Sequence, residues 1–93
     1  MLSINDLLDY SELDQTEIEA IAEHEHIPLP VAIELGDHLL HTVEGVRKLH
    51  TMVIDNMQHA VEHGNYEHAN GLAATYLHLQ RTHPFPIIGA APC

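Results

Sequence analysis

Cations are the scarcest element of this sequence. Only Arg47, Lys48 and Arg81 stand against 14 acidic side chains, a formal charge of −11 with histidine neutral. Nucleic acid requires clustered Lys and Arg to replace released counterions, so it is excluded as a direct partner. Anionic membrane surfaces are excluded on the same ground. Metals, basic protein patches and other cations are what such a field attracts.

Cysteine is nearly absent as well. Cys93 is the only one, so there is no internal disulfide, and neither a Cys-type zinc or iron–sulfur site nor Cys-x-x-Cys-His haem attachment can form. Tryptophan is missing, and the aromatics are Tyr10, Tyr66, Tyr76 and Phe85. The core must therefore come from Leu, Ile, Val, Ala and Met. A chain of 93 residues makes one domain, and at that size folding buries only roughly 60–65% of the unfolded surface. A dimer interface or a bound ligand would widen the resulting small stability margin, and a homodimer is expected. No apolar run approaches the ~18–20 residues that span a bilayer. No basic segment followed by an apolar one opens the chain, so the expected compartment is the cytoplasm.

What is present in quantity is histidine, ten in all. Between neutral and mildly acidic pH these imidazoles could erase most of the negative charge.

Period-3.6 patterning without any period-2 stretch predicts an all-α fold, a small bundle of about four helices spanning 1–83, with a nonhelical apolar tail at 84–93. Ser3 can cap a turn through Leu8. Thr16-Glu17-Ile18-Glu19 reads as a capping box with Thr16 at the N-cap, opening a helix that stops near His26 ahead of Pro28 and Pro30. Pro30 suits the first turn of a second helix, whose apolar face is expected to comprise Val31, Ala32, Leu35, Leu39, Leu40 and Val43. A break at Thr42 is favoured over one long helix, with Thr42 capping a third helix to about His63. Its stripe is Val46, Leu49, Val53, Ile54, Met57, Ala60 and Val61. Gly64-Asn65 stops it, and Asn65 caps a fourth helix with Ala69, Leu72, Ala73, Tyr76 and Leu79 inward, ending before Pro84.

The histidines then divide. Asp55, His59 and His63 form a row away from the apolar stripe and read as a solvated face, as do His68 and His78. His50 falls on the stripe itself and requires a partner, since an unsatisfied buried polar group costs ~1–3 kcal/mol. A backbone carbonyl or carboxylate is the structural reading of that partner, a metal the functional one. Glu25 continues the Ile18–Ile21–Ala22 stripe, so its carboxylate is expected to point inward, with His50 as a candidate mate.

The densest cluster of potential ligands is Glu23, His24, Glu25 and His26, followed by Glu34, His38 and His41 at i, i+4, i+7. With His50 these are the candidate metal ligands. The donors are nitrogen and oxygen, suiting zinc, iron, manganese or nickel. A histidine-rich acidic surface is the competing reading. Recognised motifs are missing: there is no His-Glu-x-x-His, and the single Glu-x-x-His, Glu23 to His26, ends at a proline-bounded turn, unlike a di-iron bundle. No Gly-rich phosphate loop or nucleophile constellation appears, so an enzyme is not expected.

The stretch Ala20-Ile21-Ala22-Glu23-His24-Glu25-His26-Ile27-Pro28, followed by Ala32–Leu40 and His83-Pro84, resembles a group of small bacterial proteins with no established activity. The resemblance covers about Leu13 to Pro84. It implies that Glu23–Pro28 is a hallmark of that group, and it brings no cofactor, partner or site residue. The expected function is a binding or regulatory module taking a divalent metal through these residues. The alternative is a metal-free protein-interaction module using its acidic surface and apolar tail.

Overall fold

The structure, a computed structural model, describes residues 12–86. The turn expected behind Ser3 and most of the apolar tail lie outside them. Four helices and no strand occur among the described residues: α1 Gln15–Glu25, α2 Leu29–Leu39, α3 Val43–Glu62 and α4 Tyr66–Thr82. The central long pair, α3 and α4, shares the broadest interface, and α1 lies across α2 and α3 while also touching α4. No described helix is long and apolar enough to cross a membrane.

Local chemistry sets most boundaries where the sequence puts them. Thr42 is the N-cap of α3, its Oγ1 accepting from the Gly45 N–H at 2.9 Å. α2 and α3 are thus separate helices. Gly64 takes a left-handed φ of 73° after α3, and Asn65 caps α4 through His68 N–H. Pro28 stands at the N-cap of α2 and Pro30 lies in its first turn, where a missing N–H costs nothing.

The start of α1 differs. Its N-cap is Asp14, not Thr16. Asp14 Oδ1 accepts from Glu17 N–H and Glu17 Oε1 accepts from Asp14 N–H, both at 2.9 Å, a reciprocal capping box displaced by two residues. Thr16 serves it indirectly by donating its hydroxyl to Asp14 Oδ1. Burial decides between the two registers. Leu13 and Ile18 are both buried, so the chain must enter α1 with Leu13 against the core. At the other end His26 terminates α1 in the left-handed region, φ 57° and ψ 48°, and the Ile27 N–H reaches back to Ala22 O.

The core is formed by Leu13, Ile18, Ile21, Ala32, Ile33, Leu39, Leu49, Met52, Val53, Leu72 and Leu79. Each fully buried aliphatic side chain contributes ~1.5–3 kcal/mol. Two helices present a face rotated from the expected one. α2 buries Ala32, Ile33, Gly36 and Leu39, leaving Val31 exposed and Leu35 and Leu40 at the margin. α3 buries Gly45, Met52 and Asn56 along with Leu49, Val53 and Ala60, leaving Val61 half exposed. On α4, Thr75 is buried and Ala73 is exposed.

The rotation has one cause. Gly36 is the floor on which Leu13, Ile21 and Ile18 rest, a Cβ there lying 2.7, 3.0 and 3.4 Å from their Cδ1 atoms. Gly45 lets α3 start hard against the end of α2, since a Cβ would overlap the Leu39 carbonyl oxygen and sit 2.8 Å from its Cα. Buried Asn56 fixes the same register by donating to Ala20 O at 2.9 Å, joining α3 to α1. Small and polar residues, not the largest apolar ones, mark where the helices meet.

Replacing Gly45 by Ala therefore forces backbone apart and should lower unfolding free energy by roughly 2–3 kcal/mol. At Gly71, exposed in the interior of α4 with nothing within 4 Å of an added Cβ, the same change should raise it by about 0.5–1 kcal/mol. Chemical denaturation of both variants checks the pair; equal effects would contradict the packing.

Candidate metal centre

Among the described residues one group of three potential ligands converges. Asp14, Glu17 and His78 each offer an atom within 4.8 Å of the other two. The capping box builds two thirds of it. With Asp14 Oδ1 and Glu17 Oε1 spent on each other's N–H groups, each carboxylate keeps its second oxygen, Oδ2 and Oε2. His78, in the fourth turn of α4, brings Nε2 to 3.2 Å from Asp14 Oδ2.

Glu17 is the unusual member. Its residue is 0% exposed, and its Oε2 is buried with no hydrogen-bond partner. Burial holds its carboxyl above the ordinary value of 4.5, outweighing the bond from Asp14 N–H; the charge of Asp14 adds to the rise, and His78 and His83 oppose it. Asp14 and His78 are about half exposed. The group is thus closed at the Glu17 side and open to water at the other. Two carboxylate oxygens and an imidazole nitrogen form a donor set able to hold a divalent ion.

None of the eight residues picked out by sequence density belongs to this group. Glu23 lies on the α1 flank and accepts from His68 Nε2 at 2.7 Å. Glu25 is exposed rather than inward, and accepts from His24 Nδ1 at 2.7 Å. It does not meet His50. The buried arc of α1 runs through Glu17, Ile18, Ala20 and Ile21 and ends before the last turn, which projects beyond the core. His26 is an exposed helix cap. Glu34 and His38 are exposed on α2 and His41 in the turn after it, where His41 Nδ1 donates to Asp37 O.

His50 is fully buried, as its position on the stripe requires. Its Nε2–H donates to His83 O at 2.6 Å, which fixes the tautomer and leaves Nδ1 to accept from Tyr76 OH at 3.1 Å. The rings of Tyr76 and Phe85 stand edge-on to it, 5.2 and 5.4 Å away. Both nitrogens are engaged, so His50 pins the end of α4 to α3 and is closed to a metal.

His24 holds a different position. Nδ1 faces Glu25 Oε2 at 2.7 Å and Nε2 faces Asp55 Oδ2 at 3.1 Å. A neutral imidazole has one N–H and can satisfy only one of these acceptors. Partial burial opposes charging His24, but hydrogen bonds to Glu25 and Asp55, with their charges, outweigh it and raise its pKa above the ordinary 6.5. His24 thus bridges α1 to α3, and it satisfies both carboxylates only when protonated. The Asp55, His59 and His63 row is exposed as expected, with the two imidazole centroids 4.2 Å apart and the rings tilted by 38°.

His78 and Glu17 escaped the sequence reading. Glu17 carried a signal: it sits four residues after Leu13 and four before Ile21, a carboxylate within an apolar stripe. His78 carried none, because its role follows from α4 crossing the start of α1. Compared with known proteins, the chain matches no family model, no curated protein and no solved structure.

The His24 bridge makes stability depend on pH with a definite sign. A histidine whose folded pKa is raised contributes its full stabilisation below the unfolded value near 6.5 and loses it as pH rises through the folded value. Unfolding free energy should therefore fall on going from pH 6 to pH 8, and His24→Gln should flatten that slope. An unchanged slope in the variant would remove the bridge from the account.

Proposed function

We propose that this chain is a small divalent-metal-binding module whose ion sits at Asp14, Glu17 and His78. One observation carries the reading: a fully buried carboxylate oxygen, Glu17 Oε2, has no partner, and its residue belongs to the group in which Glu17, Asp14 and His78 offer atoms within 4.8 Å of one another. Leaving a charged group in that state costs several kcal/mol unless it is neutralised or paired. A cation supplies the missing partner directly.

The residues divide the work. Asp14 and Glu17 provide charge, held in place by the capping box at the rigid first turn of α1. His78 provides the nitrogen, and a ring nitrogen given to the ion must be free of its proton. The ion would then tie the first turn of α1 to α4, across 61 residues of sequence separating Glu17 from His78. Zinc, manganese, iron(II) and nickel all accept this donor set, with water at the exposed positions.

Purified without a histidine tag and stripped of metal, the protein should bind one zinc or manganese ion per chain, with stabilisation of roughly 2.7 kcal/mol at a hundredfold excess over Kd. Glu17→Gln keeps the capping acceptor but removes the buried charge. It should abolish the metal-dependent rise in Tm while leaving the metal-free protein as stable as the parent or more so. Ten histidines invite surface binding, so His59→Gln/His63→Gln serves as the control and should leave the response intact. No Tm response in the parent, or one that survives Glu17→Gln, would sink the reading.

A further inference from the structure

Two of the three Lys and Arg side chains of this acidic protein lie together and are largely unspent. Arg47 and Lys48 border a groove of about 340 Å³ on the face of α3, with Glu44 and Thr51 beside them and Met52 and Phe85 as apolar walls. His24 closes one edge, its ring nitrogens already committed to Glu25 and Asp55. Arg47 has five N–H donors, and its one bond runs from Nη1 to the exposed Glu44 at 3.3 Å; its Nε is buried with no partner. Lys48 forms no ion pair among the described residues. With 14 carboxylates in the chain, idle cations side by side on a mostly apolar groove indicate an anion from outside.

We propose that this groove binds a small organic carboxylate with an apolar body. The carboxylate would take the free donors of Arg47 and the ammonium of Lys48, in charge-assisted hydrogen bonds stronger than neutral ones. The body would lie along Met52 and Phe85, in the mix of apolar wall and few polar anchors that small-molecule sites show. A monoanion fits better than a phosphate, because the surrounding charge of −11 opposes a dianion twice as strongly. Glu44 is the internal competitor: its carboxylate occupies one edge of Arg47 and adds repulsion. The proposal is independent of the metal reading, since none of these residues touches Asp14, Glu17 or His78.

Hexanoate is the probe, with hexanamide as its uncharged match, titrated into the full chain by calorimetry and by NMR of the Met52 methyl. Hexanoate should saturate and bind at least tenfold tighter than hexanamide, about 1.4 kcal/mol, weakening as salt rises. Arg47→Gln and the exposed Lys48→Gln should each weaken it severalfold, whereas Glu44→Gln should tighten it. Thermal unfolding of each variant confirms that the fold is kept, and Lys48→Gln, on the surface, guards against loss of fold at Arg47. Equal affinity for the two probes, no saturation below roughly 10 mM, or indifference to both cation variants would overturn the proposal. So would concentration-dependent dimerisation, read by sedimentation, that Arg47→Gln abolishes: a carboxylate of a second copy would then fill the groove.

Discussion

Helix α1 must be held against the other three helices although it carries Glu17, Glu19, Glu23 and Glu25 behind an Asp14 cap, and the chain has almost no Lys or Arg to offer it. Among the described residues the one Arg–carboxylate pair, Arg47 with Glu44, is local to α3. Among the described residues every ion pair between α1 or its cap and another helix uses histidine: His24 to Asp55, His68 to Glu23, His78 to Asp14. Histidine is the counter-group that can be withdrawn. Each contact is a full ion pair only when the imidazole is protonated. Exposed pairs of this kind contribute little singly, but three of them line one interface, and apolar burial of Ile18 and Ile21 supplies the rest.

The opposite arrangement governs α3 and α4. There the contact is broad and mostly apolar, and the buried histidine within it is saturated. His50 is held by a carbonyl, a hydroxyl and two aromatic edges, so it has nothing left to offer chemistry and much to contribute to a defined geometry. It also seats Phe85, which forms a wall of the apolar groove on α3. A rigid pair of long helices thus carries a more conditionally attached acidic helix. A metal between Glu17 and His78 would act at that weaker joint, where added binding energy alters stability most.

Helix ends were legible because their chemistry is local: Thr42, Gly64-Asn65 and Pro30 act on neighbours within four residues. His50 was legible because a polar residue on an apolar stripe has to be buried with a partner. Helix faces were less so. Hydrophobic periodicity weighs side chains, and Gly36, Gly45 and Asn56 register as nothing or as polar. Yet these three stand where helices approach closest, so the faces of α2 and α3 rotate toward them and away from Val31 and Val61. The two-residue displacement of the capping box has a related origin. Asp and Thr are both good N-caps, Asp the better of the two, and the burial of Leu13 also selects Asp14.

Residue density and spatial convergence point to different parts of this chain. Glu23 to His41 is the richest stretch of ligands in the chain, and its helical spacing is correct for chelation. But α1 ends at His26 in a left-handed cap, so the ligands on either side of it project from two helices that point differently, toward solvent. Those side chains satisfy one another in pairs or face water, and a satisfied carboxylate gains little from a cation. What distinguishes Glu17 is the reverse condition. It is one acid among many by sequence, but the only described carboxylate whose oxygen is both buried and unpartnered. The two features that make the group, the capping box that turns Oε1 toward the backbone and the approach of His78 on α4, come from residues three and 61 positions away. The first can be read from a Leu-Asp-x-x-Glu-Ile pattern, in which the Glu has to be both cap and core. The second requires the fold, because no property of His78 sets it apart from nine other histidines until α4 is laid across the start of α1.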